Sequence, residues 1–210
     1  MSNYKSAYKL VLHQINNMFM LTEEEKCLAN DELIKCELAY NKTLICLENS
    51  GNWKYFSGDI NLYNSVMYCI FLYWYSKGIC QASQSLGDKV YYLNKALNAV
   101  DLFYDIDLPD IWFCEHPIGS VMGRARYGNK FIFYQNCTVG GSIGPNRKDE
   151  IYPVIGQNVI MYSYSRIIGN CKIGSNCVLA SGTAVINQDV PDNSIVFGQS
   201  PNLIIKSNRR

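Results

Sequence analysis

His116 is the side chain best suited to move a proton. It is one of two histidines in 210 residues and the only one in the second half, in the run Glu115-His116-Pro117-Ile118-Gly119. An imidazole of ordinary pKa, about 6.5, takes up a proton at neutral pH and gives it back within one reaction cycle. A carboxylate on its other ring nitrogen would fix the tautomer and stabilise the imidazolium. Asp107 and Glu115 suit that role, and Asp101 and Asp110 are further candidates. The chemistry these residues offer is general-base activation of a hydroxyl. A lone histidine beside a glutamate is by itself more often structural, and His13, in a helical stretch, is read that way. Gly140-Gly141 would let a ligand approach the backbone closely, with two N–H groups available to an oxyanion or an amide. A plain turn accounts for that pair equally well.

The elements that must position these residues are written as a repeat. Ile155, Met161, Ile167, Ile173, Leu179 and Val185 recur every six residues, and four residues after each of the first five stands Val159, Ser165, Cys171, Cys177 or Thr183. Such a period predicts a coil of three short flat strands per turn, with the large aliphatic residue pointing into a triangular prism and the small one filling the next inward position. Gly156-Gln157-Asn158, Gly169-Asn170 and Gly174-Ser175-Asn176 are expected at the tight corners. The period runs upstream through Val121, Tyr127, Phe133 and Val139. The polar stretch from Ser142 to Glu150 interrupts it and should leave the prism as a loop. A β-sandwich would need period-two alternation, which is poor here.

Before Tyr104 the pattern is different. Apolar residues recur at helical spacing, and Thr22 with Glu25 forms a capping box ahead of a segment carrying Leu28, Ile34, Leu38 and Ile45. Further helices are predicted over Asp59 to Tyr75, closed by Gly78, and over Lys89 to Phe103, with Val90, Leu93, Leu97 and Val100 on one face. Four to six helices are expected. The fold class is therefore α+β: an all-helical domain over 1–104, then a left-handed parallel β-helix with an extruded loop over 105–210.

Composition narrows the partners. The formal net charge is +1, and no basic cluster is interleaved with aromatics, so nucleic acid is not expected. The apolar stretch Val66 to Tyr75 is about half of what a bilayer span needs, and the opening residues carry no apolar leader, so a soluble cytoplasmic protein without membrane contact is expected. Nine cysteines are an odd number without a C-x-x-C, and read as reduced, buried, small hydrophobes. One histidine in the β-helical half cannot build a three-histidine zinc site, and no metal is expected. No glycine-rich phosphate loop precedes the β-helix, which argues against a nucleotidyltransferase arrangement.

Several stretches carry a family resemblance: Asp107-Leu108-Pro109, Glu115-His116-Pro117-Ile118-Gly119, Cys137-Thr138-Val139-Gly140-Gly141, Tyr152-Pro153-Val154-Ile155-Gly156, Val190-Pro191-Asp192-Asn193 and Gly198-Gln199-Ser200-Pro201. With these the chain resembles the serine acetyltransferase branch of the hexapeptide-repeat acyltransferases. The resemblance implies acetyl-CoA as co-substrate, a small hydroxyl acceptor, His116 as base and Asp107 as its orienting carboxylate. The interval between those two is six residues shorter than the family pattern, one hexapeptide, so Asp101, Asp110 and Glu115 stay open for that role. CoA is implied along Gly140, Gly141, Ser163, Ser181, Gly182 and Gly198, with Lys206, Arg209 and Arg210 near its phosphates.

The family's second active-site histidine falls on Tyr152, and the arginine before it on Ile151. Acceptor binding would therefore involve Tyr152 with Arg147, or Lys148, from the loop, and would extend from L-serine to sugars of surface polysaccharides. A scaffold that has lost activity is the non-enzymatic alternative. The resemblance further implies a homotrimer or a dimer of trimers. The ending Ser207-Asn208-Arg209-Arg210 differs from the isoleucine-terminated tail that docks on cysteine synthase, so no such complex is expected.

Overall fold

A computed structural model of the protein describes residues 3–50, 56–143 and 150–209. The chain divides into two compact units, Met1–Asp105 and Ile106–Arg210.

The first unit holds five helices: α1 (Tyr4–Phe19), α2 (Glu23–Asp31), α3 (Leu33–Asn49), α4 (Ser65–Ile79) and α5 (Gln84–Asn98). Helix α4 is the core. Every residue from Val66 to Ser76 is buried, as expected of a helix that is apolar all round and packed on all sides. It starts at Asn64, whose side chain accepts from the N–H groups of Val66 and Met67. That cap makes Ser65 the first helical residue, six residues later than the Asp59 expected from periodicity. Helix α3 also departs from the apolar reading. Ile34, Leu38 and Ile45 are exposed, while Cys36, Ala39, Tyr40, Thr43, Cys46 and Leu47 face inward. Most of the inward positions on α3 are small or hydroxyl-bearing residues, with Leu47 the one branched aliphatic among them. On α5, Leu97 is likewise exposed, whereas Val90 and Leu93 are buried.

The capping box at Thr22 and Glu25 is present in both directions. It also does more than cap: the Glu25 carboxylate accepts from Ser85 and forms an ion pair with Lys89, tying α2 to α5. Burial alone would raise its pKa, but the hydrogen bonds from Lys89, Ser85 and the Thr22 N–H outweigh it and hold it at about 2. The folded value lies below the unfolded one, so the stability it adds is complete above pH 4.5 and is lost as pH falls through about 2. Glu25→Gln should cost on the order of 2 kcal/mol at neutral pH. Urea midpoints of the two proteins should converge as pH falls through that window, and a difference independent of pH would refute this account.

The second unit is a parallel β-helix of three faces. On the first lie β1 (Trp112–Cys114), β4 (Phe131–Phe133), β9 (Ile160–Met161) and β12 (Val178–Leu179). The second holds β2 (Val121–Met122), β5 (Thr138–Gly140), β10 (Arg166–Ile168) and β13 (Ala184–Ile186), and the third holds β3 (Arg126–Tyr127), β8 (Val154–Ile155) and β11 (Lys172–Ile173). β14 (Ser194–Gln199) turns the corner from the first face to the second, pairing with β12 and then β13. β15 (Asn202–Ser207) folds back antiparallel along it.

All six repeat positions, Ile155 to Val185, are inside the prism, and so are the five small ones. Three of the five small inward residues share a second property. Thr183 Oγ1 donates to the Val196 carbonyl, Cys171 Sγ to Ile168 and Cys177 Sγ to Pro191. The Val196 and Ile168 carbonyls already accept the N–H groups of Ala180 and Asn187, so these side chains donate to a second lone pair, which alanine could not do. Burial raises the thiol pKa values of Cys137, Cys171 and Cys177, in keeping with inert packing groups.

Upstream, the register departs from the expected period. Val121 is exposed, and Met122 takes the inward position, stacked on Val139. That pair is 17 residues apart, whereas Ile167 and Val185 are 18 apart, so one deleted residue shifts the first rung. The interruption after Ser142 is a short antiparallel hairpin, β6 (Ser142–Ile143) with β7 (Glu150–Ile151), outside the parallel ladders.

Candidate functional site

Within the second unit, the residues singled out by sequence fall on two corners of the prism. The first joins faces one and two. It comprises residues 115–120, 134–137, 162–165 and 180–183, one above another, connected through Asn136 N–H to the Ile118 carbonyl, Tyr164 N–H to Gln135, and Gly182 N–H to Ser163. His116, Ser163, Ser181 and Gly182 all belong to it, and Gly198 lies above them on the corner-crossing strand. The second corner joins faces two and three and carries Gly140, Gly141, the hairpin and Tyr152.

The corner at 115–120 is six residues long, while its three counterparts have four. His116 adopts φ 49°, a left-handed conformation unfavourable for a residue with a Cβ; Asn136 and Tyr164 in the shorter corners do likewise, and the longer corner differs in holding two left-handed residues, His116 and Gly119. Strain of this kind concentrates at sites of function. The imidazole stands out from the prism, 76% exposed, with its Nε2 3.9 Å from a carboxylate oxygen of Glu115. Glu115 also approaches Tyr134, whose phenol is raised in pKa first by burial and then by the Glu115 charge. Asp107 is exposed. Asp101 is engaged within the helical unit, where it accepts from Tyr91 and Lys95.

Above His116 the corner presents hydroxyls. Ser163 and Ser181 oxygens are 2.9 Å apart, and Ser181 also donates to the Ser163 carbonyl. Gly182 has φ +76°, and a Cβ there would meet nothing within 4 Å, so the corner beside it is open.

At the second corner Tyr152 lies on Gly141, where a Cβ would come within 2.8 Å of its ring. The Tyr152 hydroxyl donates to Glu150 and accepts from Arg124. The hydrogen bond to Glu150, more than desolvation, raises the phenol pKa. Arg124 was not singled out from the sequence, because the period that locates the repeat carries no information about residues facing outward. Arg147 and Lys148 lie outside the described residues. Among the described residues, no group of three His, Cys, Asp or Glu side chains is arranged to hold a metal ion, and no helix is long and apolar enough to cross a membrane.

Comparison with known proteins bears on the repeat and on the fold. Residues 152–187 match the family described as bacterial transferase hexapeptide (six repeats). A serine acetyltransferase of Synechococcus elongatus is 28% identical over 120 residues, 57% of this chain and 48% of that protein. One of Staphylococcus epidermidis is 33% identical over 99 residues, 47% of this chain and 45% of the other. The chain thus spans about half the length of the curated relatives it matches. In fold, the serine acetyltransferase of Neisseria gonorrhoeae superposes with a TM-score of 0.75 at 22% identity, covering 96% of this chain and 77% of that one. A serine acetyltransferase solved in complex with CoA gives 0.72 at 16% identity, covering 98% and 85%. Repeat, sequence likeness and fold together point to the serine acetyltransferase branch of the hexapeptide-repeat acyltransferases.

Proposed function

We propose that the protein is an acetyl-CoA-dependent O-acetyltransferase acting on a small hydroxyl acceptor, with His116 as general base. The observation that carries this reading is the lengthened corner, which holds a strained, exposed histidine beside a carboxylate, below a column of small hydroxyl residues. His116 takes the proton from the acceptor hydroxyl as its oxygen attacks the thioester carbonyl. The tetrahedral oxyanion then collapses, the C–S bond breaks, and the imidazolium returns the proton to the CoA thiolate. Glu115 or Asp107 holds the imidazole in the required tautomer.

The pantetheine arm lies along the first corner past Ser163, Ser181, Gly182 and Gly198, where small residues leave the backbone open. Gly140 and Gly141 offer N–H groups to the oxyanion or to the thioester arm. Tyr152 contacts the acceptor. Because these residues and His116 occupy different corners of one prism, a single site that uses both takes one corner from each of two copies, and this supports a homotrimer.

Thiol release from acetyl-CoA against L-serine, homoserine and nucleotide-linked sugars tests the reading. Release with serine or homoserine assigns an amino-acid acceptor, and release with sugars alone assigns glycan modification. Binding of acetyl-CoA with no turnover on any hydroxyl would overturn the enzyme reading in favour of a scaffold. Light-scattering mass in solution should give three copies or six.

A further inference from the structure

We propose that the acceptor hydroxyl is carried on a pyranose sugar, whose C–H face lies against a tyrosine ledge at the corner that holds His116. This rests on the acetyltransferase reading above. Ladder register stacks Cys114, Phe133, Met161 and Leu179 on the first face. The residues that follow them, Glu115, Tyr134, Tyr162 and Ala180, therefore form one outward column, one coil above another. Tyr134 and Tyr162 are half-buried, with ring centroids 5.0 Å apart and planes inclined by 36°. With coils about 4.8 Å apart, the pair occupies the two coils directly above Glu115 and its neighbour His116. Ala180 ends the ledge in the next coil. The prism itself does not ask for rings in this place. The same position holds Gly128, Gly156 and Gly174 after the third face, and Gly123, Gly140, Ile168 and Ile186 after the second.

Tyr164 adds a further ring at the tip of the corner. Its φ is 63°, and the places below and above it are held by Asn136 and Gly182, residue types that adopt this conformation more readily than tyrosine. Tyr164 is 59% exposed, so burial does not account for an aromatic residue there, and a costly backbone conformation kept without a packing return marks function. Ser163 stands between Tyr162 and Tyr164, its hydroxyl 2.9 Å from that of Ser181. The corner thus presents ring, hydroxyl and ring in succession. A pyranose matches that order, with a face of C–H groups that gains from cover and hydroxyls around its rim that exchange hydrogen bonds with serine and phenol oxygens. Tyrosine makes such a contact at low entropic cost, because a flat ring on two torsions has little freedom to lose. An acceptor the size of L-serine has no face large enough to cover the ledge. The column turns small again at Ala180, beside Ser181 and Gly182 on the proposed path of the pantetheine arm.

The test compares methyl glycosides of gluco-, galacto- and mannopyranose with the open-chain hexitols of the same configuration, and with L-serine. It uses the unaltered protein, Tyr164→Asn, Tyr162→Ala and Tyr164→Phe. Asn136 and Ala180 hold the equivalent places in neighbouring coils, so the first two variants remove a ring without introducing a residue foreign to the corner. In the unaltered protein at least one pyranoside should exceed its hexitol by about tenfold in kcat/KM. Tyr164→Asn and Tyr162→Ala should each lower kcat/KM for that pyranoside on the order of tenfold, mainly through KM, and leave the hexitol unchanged. Tyr164→Phe, which keeps the ring, should keep the preference. Tyr164→Asn should melt no lower than the unaltered protein, which separates loss of the ring from loss of the fold. Acetyl-CoA affinity, measured by calorimetry, should be the same in all four proteins; a fall in step with activity would set the rings against the pantetheine arm and overturn the proposal. Turnover of L-serine without any pyranoside, or equal losses on pyranoside and hexitol, would also overturn it while leaving the acetyltransferase reading in place. Silence of the unaltered protein on every acceptor removes that reading, and the sugar ledge with it.

Discussion

His116→Ala is expected to reduce kcat/KM for acetyl transfer by about 10²- to 10⁴-fold while leaving acetyl-CoA affinity unchanged. The imidazole is exposed and its nearest charged partner is Glu115 at 3.9 Å, so its removal breaks no buried contact. At this corner the backbone rather than the ring is constrained, and alanine at φ 49° is no less strained than histidine. A loss of activity therefore reports chemistry and not unfolding, which thermal melting of the variant would verify. Glu115→Gln and Asp107→Asn in the same assay separate the two orienting carboxylates. The one that matters should lower kcat with little change in KM, because it acts on the imidazolium formed during reaction. Full activity in His116→Ala would remove the base from the mechanism altogether.

Gly156→Ala should be among the most damaging single substitutions in the β-helix. A Cβ at Gly156 would lie 2.7 Å from the Ser175 nitrogen and 2.8 Å from the Gly174 carbonyl carbon, and one at Gly174 would lie 2.4 Å from the Asp192 nitrogen. Gly128, Gly156 and Gly174 thus stack in one corner column, each covered by the backbone of the next coil. None of the three has positive φ, so the requirement is closeness between coils rather than conformational freedom. Backbone cannot move aside as a side-chain tip can. A cost on the order of 3 kcal/mol follows, a fall in melting temperature of about 6–12 °C. Gly182→Ala is the contrast: its φ is +76° with open space around it, which confines the cost to conformational strain, about 1 kcal/mol. Equal falls for the two variants would sink the stacking argument.

The β-helix was legible because its period is set by inward-facing residues, and outside the prism little interferes with them. Every position from Ile155 to Val185 followed the rule. At Val121 the rule failed, since a rung one residue short moves the inward place to Met122 and no local signal marks a deletion inside a coil. The helices were legible as helices, through Thr22 with Glu25 and the apolar run of α4. The inner face of α3 was not, because hydropathy favours Ile34, Leu38 and Ile45 whereas the space against α4 admits Cys36, Ala39 and Thr43. His116 stood out by scarcity and by motif. Arg124 could be found only when folding brought residues 124, 150 and 152 together across the hairpin.

The antiparallel return of β15 along β14 has a consequence for assembly. A parallel coil can grow indefinitely: each rung offers the next the same row of N–H and C=O groups, and the last would serve a second molecule as well as its own chain. β14 pairs with β15 along its whole length from Ser194 to Gln199. The partner runs the wrong way to continue the prism, so the stack is closed in direction. Growth into fibres is blocked at that end by polarity, and the flat faces are left as the surfaces through which copies can meet side by side.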